Sequence, residues 1–218
     1  MARSESAIAK RRKATLKLSR PDYVEKRAQI LSAATRIFAE QGYRETSISD
    51  IAREVDLDRA TFYYYVGSKT DLFDAIAVDA AEENVTEVER ICSSDDPADK
   101  KLASLVEQLM SSYERNYPRL FIFIREYERQ LEGGGSHSKR LKEIQKRYDT
   151  ALSGIIREGQ EAGLFNKDLP VREIGFSIIG MINWSHLWFK PGRSISGSDM
   201  GKAMSTLVMD GIRAKRKR

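Results

Sequence analysis

The sequence predicts an all-α chain, and three observations carry that prediction. Apolar residues recur at helical spacing in every long segment, no segment alternates as a half-buried strand would, and cap signals stand where the periodicity breaks. With 218 residues there is room for one large or two modest domains with a true core. The expected arrangement is a three-helix head joined to a body of about six helices, without internal repeats.

Ser19 with Asp22, and Pro21 between them, mark the start of a first helix. Its stripe is Ile30, Leu31, Ala34, Ile37 and Phe38, and Gly42 supplies the left-handed residue that ends it. Ser47 with Asp50 is a capping-box pattern, so a second helix should begin near Ile48, with Ile48, Ile51, Ala52 and Val55 on its buried face. Asp56-Leu57-Asp58 breaks it, because Asp is a poor helix-interior residue that tolerates a left-handed turn and caps well. A third helix, Arg59 to Val66, then carries Arg59, Thr61, Tyr63, Tyr64 and Tyr65 in quick succession, and Ser68 with Asp71 caps the next. Two short helices around a tight turn, about residues 47–66, form a helix-turn-helix whose second helix would enter a DNA major groove.

A longer helix is expected from Lys69 to about Cys92, striped by Leu72, Phe73, Ile76, Ala80, Val85, Val88 and Ile91. Beyond the loop at 93–97, a helix over about 98–115 shows Leu102, Leu105, Val106, Leu109, Met110 and Tyr113 in register. Asn116-Tyr117-Pro118 starts another, and Gly133 to Ser136 reads as a flexible connector. That connector is no phosphate loop, since it follows a helix and lacks the Lys-Ser/Thr that completes one. The following helix, striped by Leu141, Ile144, Tyr148, Leu152, Ile155 and Ile156, should end at Gly163, with a loop over 164–169. Pro170 opens a segment, Ile174 to Phe189, that is apolar nearly all round and must be covered on more than one side. Pro191-Gly192 stops it, and a final helix begins near Ser198-Asp199. Two such helices, consecutive and antiparallel, suit a two-fold interface in which two copies build a four-helix bundle.

Charge is unevenly spread. Residues 1–20 hold seven Lys/Arg and one Glu, and the last six residues hold five Lys/Arg. The 192 residues between them carry 25 basic and 31 acidic groups, so the body is acidic and both ends are basic. Basic arms are drawn to phosphate by counterion release; the bland alternative is a solvated tail. No run of about 18 apolar residues exists and the start lacks an apolar signal core, so neither a membrane span nor a secretory leader is expected. The single Cys92 permits no internal disulfide, fits a reducing cytoplasm, and reads as a helix-end packing residue rather than a sensor.

The stretch Arg27 to about Phe73, with IFAEQGYRETSISDIA, the ATFYYY helix and SKTDLF, resembles the DNA-binding domain of the TetR family of bacterial transcription regulators. Two residues depart from the family pattern: Asp56 stands where Gly is usual, and Val66 where an aromatic is common. The resemblance implies a basic arm (1–20), a helix-turn-helix DNA-binding domain (21–68), a ligand-binding and dimerisation domain (69–212) and a basic tail (213–218). It places Tyr63 on the phosphate backbone. Arg59, Thr61 and Tyr64 are the expected readers of base edges, Arg59 because a guanidinium can grip guanine bidentately. Lys69, Thr46 and Ser47, at helix N-termini, are expected on phosphate. The near-neutral head cannot bind tightly alone, so a homodimer on a pseudo-palindromic operator is expected, at the nucleoid.

In the body, Tyr113, Phe121, Tyr127, Tyr148, Phe176, Trp184 and Trp188 could line a cavity, although core packing explains them equally well. Family members usually bind a small effector there and release DNA. GMINWSHLWFKPG is similar to the C-terminal region of members that sense fatty-acyl or steroid-derived CoA thioesters. On that reading Arg125, Lys190 and Arg193 are candidates for the CoA phosphates. No catalytic constellation, metal site or cofactor is expected: His137 and His186 have no second ligand at helical spacing, and Cys92 has no second cysteine. The leading expectation is a ligand-relieved repressor. Its rivals are an effector-independent, nucleoid-organising DNA binder and an all-α enzyme on CoA thioesters, for which no nucleophile–base pair is visible. Operator, effector and the sign of regulation are not legible.

Overall fold

The computed structural model describes residues 21–132 and 135–214. Helices dominate, and among the described residues the sole extended pairing is a bridge between Phe165 and Arg213. The chain divides into two compact units, Met1–Asp79 and Ala80–Arg218. The first unit therefore reaches to Asp79 rather than to the expected break at 68/69. The basic arm at 1–20, Gly133-Gly134 of the connector and the last four residues of the tail lie outside the described residues.

In the first unit, α1 (Pro21–Gln41) buries Tyr23, Ile30, Ala34, Ile37 and Phe38, and Gly42 follows at φ 100°. The helix α2 (Ile48–Glu54) opens with the capping box in full: Ser47 Oγ accepts from the Asp50 N–H, and the Ser47 N–H donates to Asp50 Oδ2 at 2.9 Å. Asp56 takes φ 54°, so the residue standing at the usual glycine position does adopt the left-handed turn. Asp58 then caps α3 (Arg59–Tyr65), which buries Phe62, while Val66 is buried just past its end. Next, α4 (Lys69–Phe73) passes into a π-helical turn (Asp74–Val78), where a regular α-helix was expected, and then into α5 (Asp79–Cys92).

The second unit contains most of α5 together with α6 (Ala98–Arg115), α7 (Arg119–Glu132), α8 (Gly135–Glu161), α9 (Val171–Trp184) and α10 (Gly197–Ile212). The apolar segment expected to run as one helix to Phe189 stops being α-helical at Trp184, and Ser185–Leu187 form a 3-10 turn. The last helix begins at Gly197, capped by Ser196, a little before the expected start.

Packing follows residue size. The helix α10 lies along α6 because Gly197 and Gly201 let the backbones approach: a Cβ at Gly201 would stand 2.8 Å from Glu107 Cα and 2.9 Å from its carbonyl oxygen. In contrast, α5 and α8 are bridged by long side chains. Arg140 grips Glu82 with two bonds of 2.8 Å, and Arg147 grips Glu89 through Nε at 2.8 Å and Nη2 at 2.5 Å. Each guanidinium holds its glutamate below the ordinary carboxylate value, chiefly by hydrogen bonding. The end of the chain is tied down by Asn166 N–H to Ile212 O at 2.8 Å and Ala214 N–H to Leu164 O at 3.0 Å.

Candidate functional site

The head presents α3 with a charged and aromatic outer side. Its capping residue accepts at Asp58 Oδ1 from the N–H groups of Ala60 and Thr61, at 2.9 and 3.0 Å, while Thr61 Oγ1 donates to Asp58 Oδ2 at 2.5 Å. These bonds, the Thr61 hydroxyl first, hold the Asp58 carboxyl below its ordinary value. A carboxyl depressed in the folded state adds stability above the ordinary value of 3.8, and that stability is lost as pH falls through the folded value. Asp58→Asn keeps an acceptor at the cap but removes the charge. Thermal melts followed by circular dichroism should show a wild-type advantage that is constant from neutral pH to about 4 and shrinks below it.

Arg59 is exposed with its guanidinium 5.8 Å from the Tyr63 ring centroid, so these two candidates form one surface. Tyr64 is exposed edge-on to Tyr23 and Tyr65, and Tyr65 itself stacks on Tyr23 at 5.1 Å. Of the three successive tyrosines, Tyr65 is thus the one turned toward the head's own framework. Thr61 is partly exposed, but its hydroxyl is committed to Asp58. Lys69 sits 4.3 Å from the Tyr43 ring centroid and donates to the Arg44 carbonyl at 3.2 Å. Tyr43, which also packs on Phe38 and Phe73, positions Lys69 and was not foreseen; an aromatic just after the helix-ending Gly42 was the available signal. Ser47 is exposed at the start of α2, with its hydroxyl engaged by Asp50 at 2.6 Å.

Thr46 corrects the expectation. It is 1% exposed and its hydroxyl donates to the Gly42 carbonyl at 2.7 Å, so that side chain secures the turn and cannot reach a phosphate.

The body holds a cavity of about 610 Å³, open to solvent on one side, between α5, α6, α7, α8 and α9, within the range of small-molecule sites. Among the predicted residues, Tyr113, Arg125, Tyr127, Tyr148 and Trp184 line it. Phe121 does not; its ring lies beside the wall with Arg125 at 5.2 Å and Lys190 at 5.0 Å from its centroid. Lys190 and Arg125 thus share one aromatic partner, although Lys190 is not itself in the lining, and Arg193 is exposed in the following loop and lines no part of the cavity.

Phe176 and Trp188 are corrections of another kind. In α9, Ile174, Ile178 and Ile182 turn inward, and Phe176, two residues out of that phase, is 50% exposed. Trp188 comes after the 3-10 turn and is also half exposed, beside Phe189. The helix was expected to need cover on more than one side; among the described residues it receives it on one, along Ile174, Ile178 and Ile182.

Sequence reasoning missed Asn84, Arg129, Gln145, Asn183 and His186 in the lining. Asn84 was legible in principle, being a polar residue on the otherwise apolar stripe of Ala81, Val85 and Val88. It is 8% exposed and its Oδ1 has no hydrogen-bond partner among the described residues; the same is true of the hydroxyl of Tyr113, 2% exposed. Burial pushes the Tyr113 and Tyr148 phenols well above the usual range, and Tyr148 is drawn partly back by a hydrogen bond with Asn84. Both phenols therefore stay neutral donors. Burial also pushes the Cys92 thiol up to about 11, so it is a poor thiolate. Among the described residues no cluster of His, Cys, Asp or Glu has a metal-binding arrangement, and no helix is long and apolar enough to cross a membrane.

Comparison with known proteins matches both units. The family described as "Bacterial regulatory proteins, tetR family" matches residues 30–76, and "Tetracyclin repressor-like, C-terminal domain" matches residues 95–212. The transcriptional repressor KstR2 of Rhodococcus jostii is 23% identical over 86% of this chain and 91% of its own length. The structure of the ketosteroid regulator KstR2 of Mycobacterium tuberculosis superposes with a TM-score of 0.80 at 22% identity, covering 87% of this chain and 95% of that one. The fatty acid metabolism regulator protein of Bacillus subtilis is 25% identical over 92% of this chain and 100% of its length. The structure of AibR in complex with isovaleryl coenzyme A and operator DNA gives a TM-score of 0.71 at 20% identity, covering 84% of this chain and 97% of that one. With its head matched by one family pattern and more than half its length by the other, the chain belongs to the TetR family of DNA-binding transcription regulators.

Proposed function

We propose that the chain is a homodimeric repressor that binds a pseudo-palindromic operator and leaves it when an amphipathic effector, a fatty-acyl or steroid-derived CoA thioester, enters the body. The observation that carries this reading is the cavity of about 610 Å³ with largely apolar walls and Arg125 and Arg129 in its lining. Apolar walls suit an acyl or polycyclic part, and arginines suit phosphate. The names of the relatives, a fatty acid metabolism regulator and a structure holding isovaleryl coenzyme A with operator DNA, support the ligand class.

On the DNA, Tyr63, Lys69 and Ser47 would hold phosphate, and Arg59 and Tyr64 would meet base edges. Thr61, with its hydroxyl occupied, would offer its methyl to a thymine methyl. The effector can shift operator affinity only by its differential affinity for the DNA-competent and DNA-incompetent states. Selection of bound duplexes from a random pool should enrich a short palindrome, and acyl-CoA esters should release the protein from it. Equal affinity for every duplex with a steep salt slope would instead make it a general DNA binder.

The division of labour on α3 has its own test. Tyr63→Phe should weaken all duplexes alike, by roughly three- to tenfold for one lost hydrogen bond. Arg59→Ala should relax preference at one operator position by about 1–3 kcal/mol, read from competition binding with single-base variants. If preference were unchanged, Arg59 would not be a reader.

A further inference from the structure

The cavity is mostly apolar, yet two of its lining residues each carry a buried polar atom that the fold leaves without a partner among the described residues. The hydroxyl of Tyr113 on α6 and Oδ1 of Asn84 on α5 are both buried, and both residues belong to the lining. Tyr113 is a neutral phenol, a donor awaiting an acceptor. Asn84 already hydrogen-bonds Tyr148, which leaves its carbonyl oxygen as an acceptor awaiting a donor.

A buried polar atom without a partner is costly, and a purely alkyl occupant would leave both atoms unpaired. An occupant bearing oxygen on its apolar part would satisfy them. A site built around such a bond also discriminates strongly against the analogue that lacks it. Accepting the reading of the cavity as the effector site, we propose that Tyr113 and Asn84 are its specificity determinants. They select ligands whose apolar part carries a neutral hydroxyl or keto oxygen over saturated ligands of the same length. A hydroxyl can accept from Tyr113 or donate to Asn84, whereas a keto group can only accept, so Tyr113 should govern keto ligands and both residues hydroxylated ones.

The test is calorimetric titration of the full-length protein with octanoyl-CoA and with its β-hydroxy and β-keto derivatives. Wild type should bind at least one derivative about tenfold or more tightly than octanoyl-CoA. Tyr113→Phe, which keeps the ring, should abolish the keto preference. Asn84→Leu should cut the hydroxyl preference and tighten octanoyl-CoA. Unchanged melting temperature and operator affinity without ligand would certify that both variants are folded. Octanoyl-CoA binding as tightly as both derivatives, or preferences that survive in both variants, would overturn the inference while leaving the cavity an acyl-CoA site. Binding of none of the three would overturn the acyl-CoA reading and this inference with it.

Discussion

Phe176→Glu combined with Leu207→Glu should reduce the proposed dimer to a monomer and weaken operator binding by about 100-fold or more. Leu207 on α10 is 68% exposed and Phe176 on α9 is 50% exposed, and neither lines the cavity. They belong to open faces that also carry Gly180 and Trp184 on α9, two exposed residues that border the cavity as well, and Ala203 and Gly211 on α10. Large apolar side chains with small residues around them are what a self-complementary interface needs, and they have little reason to face water. A carboxylate there would have to be buried unpaired for the dimer to form, which is prohibitive. Two linked heads bind an operator with an advantage of roughly 10²–10⁴ over one, because the second contact is made at high effective concentration. Sedimentation should show the change in mass, and mobility shifts the loss of affinity. A double variant that remained dimeric would move the interface elsewhere.

Gly201→Val should lower the melting temperature by roughly 5–10 °C, the shift expected when about 2–3 kcal/mol is lost from a chain of this size. The new side chain would push Glu107 backbone on α6, which cannot swing aside as a flexible side-chain tip could. Relief would require α10 to move off α6, along which much of the body's core is built. Gly154→Ala is the matched control. It lies within α8 with nothing within 4 Å of its Cβ direction, so alanine should be neutral or add about 0.5–1 kcal/mol from helix propensity. Scanning calorimetry distinguishes the two, and a Gly201→Val protein as stable as wild type would show that the close approach is not needed.

Local signals carried the head. Ser47 with Asp50, and Asp58 before Arg59, are caps whose bonding partners lie within three residues, so sequence contains the whole interaction. The same logic failed at Thr46, which looked like one more exposed hydroxyl at a helix start. Its burial depends on how the turn after α1 folds back to present the Gly42 carbonyl. The π-helical turn at Asp74–Val78 was also hidden, since DAIAV reads as ordinary helix and nothing in it marks a change of hydrogen-bond register. For the cavity, aromatic content was the wrong guide. Tyr113 and Phe176 are aromatics of similar size, and helical phase sends the more polar one inward and the more apolar one out. Phase could be read on α6, where one stripe is apolar, and could not on α9, where both sides are.

The paired clamps of Arg140 on Glu82 and Arg147 on Glu89 give the cavity a wall of unusual character. Each partner recurs after seven residues, so the clamps share one side of α5 and one side of α8, and the same two helices contribute Asn84 and Tyr148 to the lining. The seam is held by charges at contact distance, well inside the screening length of about 8–10 Å at ordinary salt, so added ions weaken it little. Acid is the agent that undoes it: the clamps persist as pH falls to the ordinary glutamate value and are lost only below it, when Glu82 and Glu89 take up protons at the lower values their arginines impose, and the wall between Asn84 and Tyr148 loosens with them.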